Sequence, residues 1–158
     1  AFKNGELRGG KKGGDALAEG GARVPFLVHY PNVTKANTTC DIPIQTIDVF
    51  PTLMEIATNE KYKNKNIQGK SLMPLLKGER SKKLEKRYLF GFRSYEDQYA
   101  SITYRHWKMI KYHSGKFELY NLNEDIGEQN NLIDTETKIA KKLKKKLAKW
   151  ESEAVSEF

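Results

Sequence analysis

Between residues 87 and 122 the chain repeats one local pattern four times. RYLFGF (87–92), YASITY (99–104), WKMIKY (107–112) and KFELYNL (116–122) are short, rich in aromatic residues and partly alternating, with turn candidates at Arg105-His106 and Ser114-Gly115. This predicts an antiparallel meander of four strands. The segment 138–149, KIAKKLKKKLAK, follows it. Ile139, Leu143, Leu147 and Trp150 recur at spacings of four, four and three, Asp134 or Thr135 is placed to cap the start, and Glu136 suits the positive end of the dipole. A helix docked across one face of the meander is expected.

The first part of the chain is built differently. VPFLVHY (24–30) is a continuous apolar run, the pattern of a strand buried on both faces, and IDVFPTLMEIAT (47–58) has helical spacing in Ile47, Phe50, Met54 and Ala57. NEKYKNKN (59–66) and KGERSKKLEK (77–86) read as loops or linkers. One buried strand and one helix cannot cover each other as a closed α/β layer would, so residues 1–80 read as the end of a larger α/β domain and residues 81–158 as a C-terminal subdomain of sheet plus helix. The chain is expected to be the C-terminal part of a longer protein.

Composition narrows the function classes. A net charge of +8 and a pI near 9.4 favour anionic partners, but much of the charge sits in Lys138, Lys141, Lys142, Lys144, Lys145, Lys146 and Lys149, opposite an apolar stripe, where a solvated face is the ordinary reading. Aromatic strands can stack RNA bases, yet no RNP-type string is present, so no nucleic-acid partner is expected. No run of about 18 apolar residues exists, so no membrane-spanning helix and no membrane partner are expected. Cys40 stands alone, without metal-ligand spacing or a recognisable base. His29 and His113 read as surface histidines, and the sequons at Asn32 and Asn37 matter only in a glycosylating secretory pathway.

The stretch LRGGKKGGDALAEGGARVP (7–25) surrounds Arg8, Lys11 and Lys12 with glycines. Taken in order with EGGARVP (19–25), IDVFPTL (47–53), IQGKSLMPLLKG (67–78) and ELYNLNEDIGEQNNL (118–132), it resembles the C-terminal portion of the type I sulfatases, across nearly the whole chain. The resemblance implies the edge of an alkaline-phosphatase-like α/β sheet domain followed by a four-stranded antiparallel sheet with a packed C-terminal helix. It implies that a lysine of the glycine-rich loop meets the substrate's sulfate, where glycines admit close approach of an anion and an ammonium stabilises charge on the sulfuryl oxygens. Matching from LRGG selects Lys11; matching the family's Lys-Gly pair selects Lys12. His106, at a hairpin tip, is a possible residue of the cleft rim, whereas Glu19, Arg23 and Asp48 read as structural.

Two departures stand out, Asn121 where the family usually has aspartate and Ile126 where it has proline. The family's formylglycine arises from the cysteine or serine of C/S-x-P/A-S-R, beside a divalent cation, usually calcium. Cys40 is followed by Asp41-Ile42-Pro43 and no serine fits either, so neither a catalytic residue nor a metal ligand is expected in this chain, which alone is expected to be inactive. The parent is expected to hydrolyse sulfate esters of a small molecule or polysaccharide, with the nucleophile and cation supplied by the N-terminal part of its own chain. Periplasmic, extracellular or lysosomal placement follows by family analogy. A phosphate-ester hydrolase of the same superfamily and a stand-alone polyanion-binding module are the alternatives.

Overall fold

The computed structural model describes residues 4–11, 14–95 and 97–155. Residues 1–25 and 88–158 belong to one compact unit and residues 26–87 to a second.

In the first unit four strands, β1 (Tyr88–Phe92), β2 (Gln98–Tyr104), β3 (Trp107–Tyr112) and β4 (Phe117–Asn121), form an antiparallel sheet in sequence order, each within one or two residues of its expected bounds. The tight β2–β3 turn places Arg105 at φ +57, and the β3–β4 turn places Gly115 at φ +83, the left-handed geometry that such turns demand. The last helix, α5 (Thr137–Val155), packs on one face. Its Ala140, Leu143 and Leu147 meet Ala100, Ile102, Met109 and Leu119 of the sheet, with Ile139 and Trp150 partly buried at the margins. Trp150 stacks on Phe90 with ring centroids 4.9 Å apart, and Lys111 on the same sheet face reaches Glu151 at 2.8 Å.

Because side chains alternate along a strand, the opposite face carries Lys108, Ile110 and Tyr112 of β3 with Glu118 and Tyr120 of β4. That face is also covered. The glycine-rich segment, including the one-turn helix α1 (Glu19–Ala22), lies on it, and Ala18 packs against Ile110, Tyr112 and Tyr120. Gly91 is required here: a Cβ would come within 2.6 Å of the Ser101 hydroxyl and 3.3 Å of the Leu17 side chain.

In the second unit, α2 (Val49–Thr58) follows a 3-10 turn at Thr46–Asp48, and α3 (Met73–Leu76) and α4 (Lys82–Glu85) are single turns. The one at 82–85 falls within a stretch expected to be loop; it forms around Leu84, which is buried at 3% exposure. Asp48 is fully buried and braces the unit. Its carboxylate accepts the Gln45 and Lys70 backbone N–H groups at 2.9 and 2.8 Å and both Arg87 Nη groups at 2.7 and 2.5 Å. Burial alone would raise its pKa, but these bonds, that from Arg87 foremost, hold it below the ordinary carboxylate value.

One expectation is corrected. Residues 24–30 form no strand: Val24, Phe26, Leu27 and Val28 are exposed at 72, 51, 89 and 40%, in a chain without secondary structure. A strand buried on both faces exists only between neighbours that accept its ladder of hydrogen bonds, and no described strand pairs with it. The apolar side of the 47–58 region is similarly open, with Ile47, Phe50 and Leu53 about half exposed. Among the described residues no helix is long and apolar enough to cross a membrane.

Candidate functional site

The glycine-rich loop is held by its first cation. Arg8 does not face solvent: Nη1 donates to Glu118 Oε2 at 2.9 Å and to the Tyr120 hydroxyl at 2.8 Å, while Nη2 donates to Asp15 Oδ1 at 3.1 Å and to the Tyr112 hydroxyl at 2.9 Å. Both tyrosine hydroxyls donate in turn to Glu118 Oε2, at 2.5 Å from Tyr112 and 2.8 Å from Tyr120, and Lys116 Nζ donates to Glu118 Oε1 at 3.0 Å. Gln98 completes the cluster, donating to Asp15 Oδ1 at 3.0 Å and accepting the Leu17 N–H at 2.7 Å.

The electrostatics follow from this wiring. Burial alone would raise the Glu118 pKa, but hydrogen bonds from Tyr112, Lys116, Arg8 and Tyr120 outweigh it and hold the carboxyl at about 2. Burial also opposes the Arg8 charge, and its bonds to Glu118, Tyr112 and Asp15 more than offset that, leaving its pKa above the usual range. Both phenols are pushed up, by burial first and by the Glu118 carboxylate second. The cluster is an arginine held between two carboxylates, Glu118 and Asp15, with Lys116 on Glu118 and two neutral tyrosines.

The consequence for the loop is a stapled neck. Arg8 and Asp15 join the two ends of the 9–14 segment, and Gly9, at φ +72, brings backbone so close to Asp15 that a Cβ there would lie 2.3 Å from the Asp15 carbonyl oxygen. Asn4 Nδ2 donates to the carbonyls of Gly9 and Gly20 at 2.7 and 3.1 Å, and the Gly20 N–H donates to the Arg8 carbonyl at 2.8 Å. Gly20 has no space for a side chain, since a Cβ would sit 2.5 Å from the carbonyl oxygens of both Arg8 and Gly9. Lys11 projects from this base as an exposed residue. Lys12, the other candidate, lies outside the described residues.

A second buried pairing fixes the far end of the segment. Lys108, 1% exposed, places Nζ 2.7 Å from Glu19 Oε1 and 3.3 Å from Glu128 Oε1, and Glu128 Oε2 accepts the Glu19 backbone N–H at 2.6 Å. Burial raises the Glu128 pKa despite the opposing attraction of Lys108. Glu19 thus pins the turn, and Arg23, largely exposed, reaches it at 3.4 Å.

His106 sits half-buried in the β2–β3 turn, its ring 5.3 Å from that of Trp107 and its carbonyl accepting the Leu122 N–H at 2.8 Å. The Arg8 staple engages Tyr112, at the opposite end of β3 about 17 Å away. Lys108, beside His106 at its own end of β3, holds the Glu19 end of the same segment, and among the described residues no hydrogen bond or ion pair joins His106 to Lys11. Cys40 is exposed. Cys40 lacks the formylglycine motif, and among the described residues no group of three His, Cys, Asp or Glu side chains is placed to hold a metal.

The pattern that defines the C-terminal region of N-sulphoglucosamine sulphohydrolase matches residues 15–153. The chain belongs to this family. A sulfatase from Formosa agariphila is 35% identical over 153 residues, covering 84% of this chain and 27% of the relative. Steryl-sulfatase from Homo sapiens is 38% identical over 93 residues, covering 56% of this chain and 16% of the relative. The crystal structure of Ps i-CgsB in complex with k-i-k-neocarrahexaose superposes with a TM-score of 0.73 at 27% identity, over 91% of this chain and 31% of that one. The chain thus spans about a quarter or less of the length of these two curated relatives and about a third of the structural one.

The residues that sequence reasoning missed are those of the covered second face: Gln98, Lys108, Tyr112, Glu118, Tyr120 and Glu128. A signal was present. In WKMIKY and FELYN the residues that alternate with the apolar Met109 and Leu119 include a lysine and a glutamate beside tyrosines, which marks a face that is polar yet too aromatic to be simply solvated.

Proposed function

We propose that this chain is the C-terminal part of a sulfatase that hydrolyses sulfate esters of saccharides, and that its glycine-rich loop supplies Lys11 or Lys12 to the sulfate. The single observation that carries the assignment of the loop is the stapled neck between Arg8 and Asp15, which fixes the base of a glycine-rich turn and leaves the Lys11 ammonium exposed. A cation carried on a fixed loop base needs less reorganisation when charge grows on the sulfuryl oxygens during ester cleavage, and water exclusion by bound substrate strengthens its effect. Family membership supports the reaction class, and the saccharide bound in the structurally similar protein supports the substrate class.

In the whole protein, residues 1–80 would close the catalytic α/β domain and residues 81–158 form its C-terminal subdomain. The exposed Val24, Phe26 and Leu27 and the open side of α2 support a further part of the protein that covers them, because apolar surface of that kind is ordinarily covered. The formylglycine nucleophile and the cation would come from the N-terminal part, and His106 would lie at the rim of the cleft. Lys11→Ala and Lys12→Ala in the full-length protein test the role of the loop. The lysine that meets sulfate should cost about 100-fold or more in kcat/KM toward an aryl sulfate, the scale of one lost oxyanion donor. The other should change it less than about threefold; two silent variants would remove the loop from the chemistry.

A further inference from the structure

The lysines of α5 lie on the face of the sheet opposite the glycine-rich loop and take no part in it. Lys141, Lys142, Lys145 and Lys146 are exposed, and among the described residues none of them pairs with a carboxylate; along the run 138–149 only Lys149 does, with Glu153 at 3.4 Å. At 1.5 Å per residue, the run from Lys138 to Lys149 extends about 16 Å. An uncompensated row of ammonium groups on a rigid rod raises the local concentration of anions and leaves the potential to be satisfied from outside.

The row is anchored to an aromatic edge. Tyr88 and Tyr104, cross-strand partners on β1 and β2, stack with centroids 4.7 Å apart, and Lys142 Nζ lies 4.0 Å from the centroid of Tyr104 while Lys146 Nζ lies 5.4 Å from that of Tyr88. These contacts restrain two flexible ammonium groups along the helix flank, so that less freedom is lost when an anion binds. They also decide between polyanions. Single-stranded nucleic acid is held by bases laid on open aromatic faces, and here the ring faces are engaged by each other and by lysines. What remains is a line of compact point charges, suited to sulfate groups spaced along a flexible chain.

We propose that the exposed side of α5, with the Tyr88 and Tyr104 edge, is a docking surface for a linear sulfated polysaccharide, separate from the loop that carries Lys11. The choice of partner rests on the saccharide sulfatase reading. The surface would hold a polymeric substrate while its ester groups are presented elsewhere.

The test uses the quadruple variant K141Q/K142Q/K145Q/K146Q in the full-length protein, with K61Q/K63Q/K65Q/K70Q as a variant of equal charge change at exposed lysines distant in sequence. Glutamine keeps the helix propensity of lysine, and far-UV circular dichroism verifies the fold. Binding to heparin is measured between 50 and 200 mM salt, beside desulfated heparin and a single-stranded DNA of matched charge; turnover of a small aryl sulfate is measured separately. The helix variant should bind heparin at least about tenfold more weakly, with a salt slope shallower by roughly three, while the control changes less than about twofold. Equal losses in both variants, unchanged binding in the helix variant, or DNA bound as tightly as heparin would each overturn the surface. None of these results bears on aryl sulfate turnover, whose absence would instead count against the sulfatase reading.

Discussion

Replacing Lys108 with methionine should destabilise the sheet unit by about 3–5 kcal/mol, the scale on which a buried ion pair fails when one partner is removed. The side chain is 1% exposed and stands between Glu19 and Glu128, both buried; methionine fills its volume but leaves Glu128 without a cation and Glu19 with only the largely exposed Arg23 at 3.4 Å. Both tryptophans, Trp107 and Trp150, lie in this unit, so urea unfolding followed by their fluorescence reports on it directly. The sign of the pH dependence is fixed as well. Glu128 already has a raised pKa from burial, and losing Lys108 raises it further. A carboxyl raised above its unfolded value favours the folded state most at low pH and loses that contribution as pH rises, so the defect should be smaller at pH 5 than at pH 8. Glu128→Gln in the Lys108→Met background should restore part of the loss. A defect under about 1 kcal/mol would mean that the three groups are not paired in solution.

Arg8→Ala should be nearly as costly, about 2–4 kcal/mol, and should release the loop. It removes four hydrogen bonds and leaves Glu118 with only its tyrosines and Lys116. In the unaltered protein the Glu118 pKa, held at about 2 against an ordinary 4.5, makes a contribution that is present above pH 4.5 and lost as the pH falls toward 2. That lowering is worth up to about 3 kcal/mol at about 1.4 kcal/mol per pKa unit. In the variant the pKa should rise toward its ordinary value, so acid should destabilise it less. The amide of Gly20, bonded to the Arg8 carbonyl, should exchange faster as the neck opens. An unchanged acid limb would show that Arg8 does not hold Glu118.

These two residues mark where the sequence stops being legible. The strands at 88–121 and the stripe Ile139, Leu143, Leu147 announce themselves because their periods are local and their apolar content is high. Arg8 carries no role of its own in the sequence reading, where the resemblance gives the sulfate to Lys11 or Lys12. The partners of Arg8, Tyr112, Glu118 and Tyr120, lie more than 100 residues away, and no local pattern encodes such a pairing. Lys108 was hidden for the same reason, its partners being 89 and 20 residues distant. Glu19 and Asp48 were read as braces, and their geometry is that of braces. The run at 24–30 reads as a buried strand because its composition is that of one, yet composition cannot supply the neighbours that would hydrogen-bond it, and in this structure it is exposed coil.

The measurement that bears most directly on the central claim is peptide mass spectrometry of the protein isolated from its native source. The account predicts, on the same polypeptide as LRGGKKGGDALAEGGARVP, a C/S-x-P/A-S-R peptide whose cysteine or serine carries the mass change of conversion to formylglycine. A polypeptide sequenced in full without that motif, or with it wholly unconverted in the active protein, would contradict the sulfatase assignment.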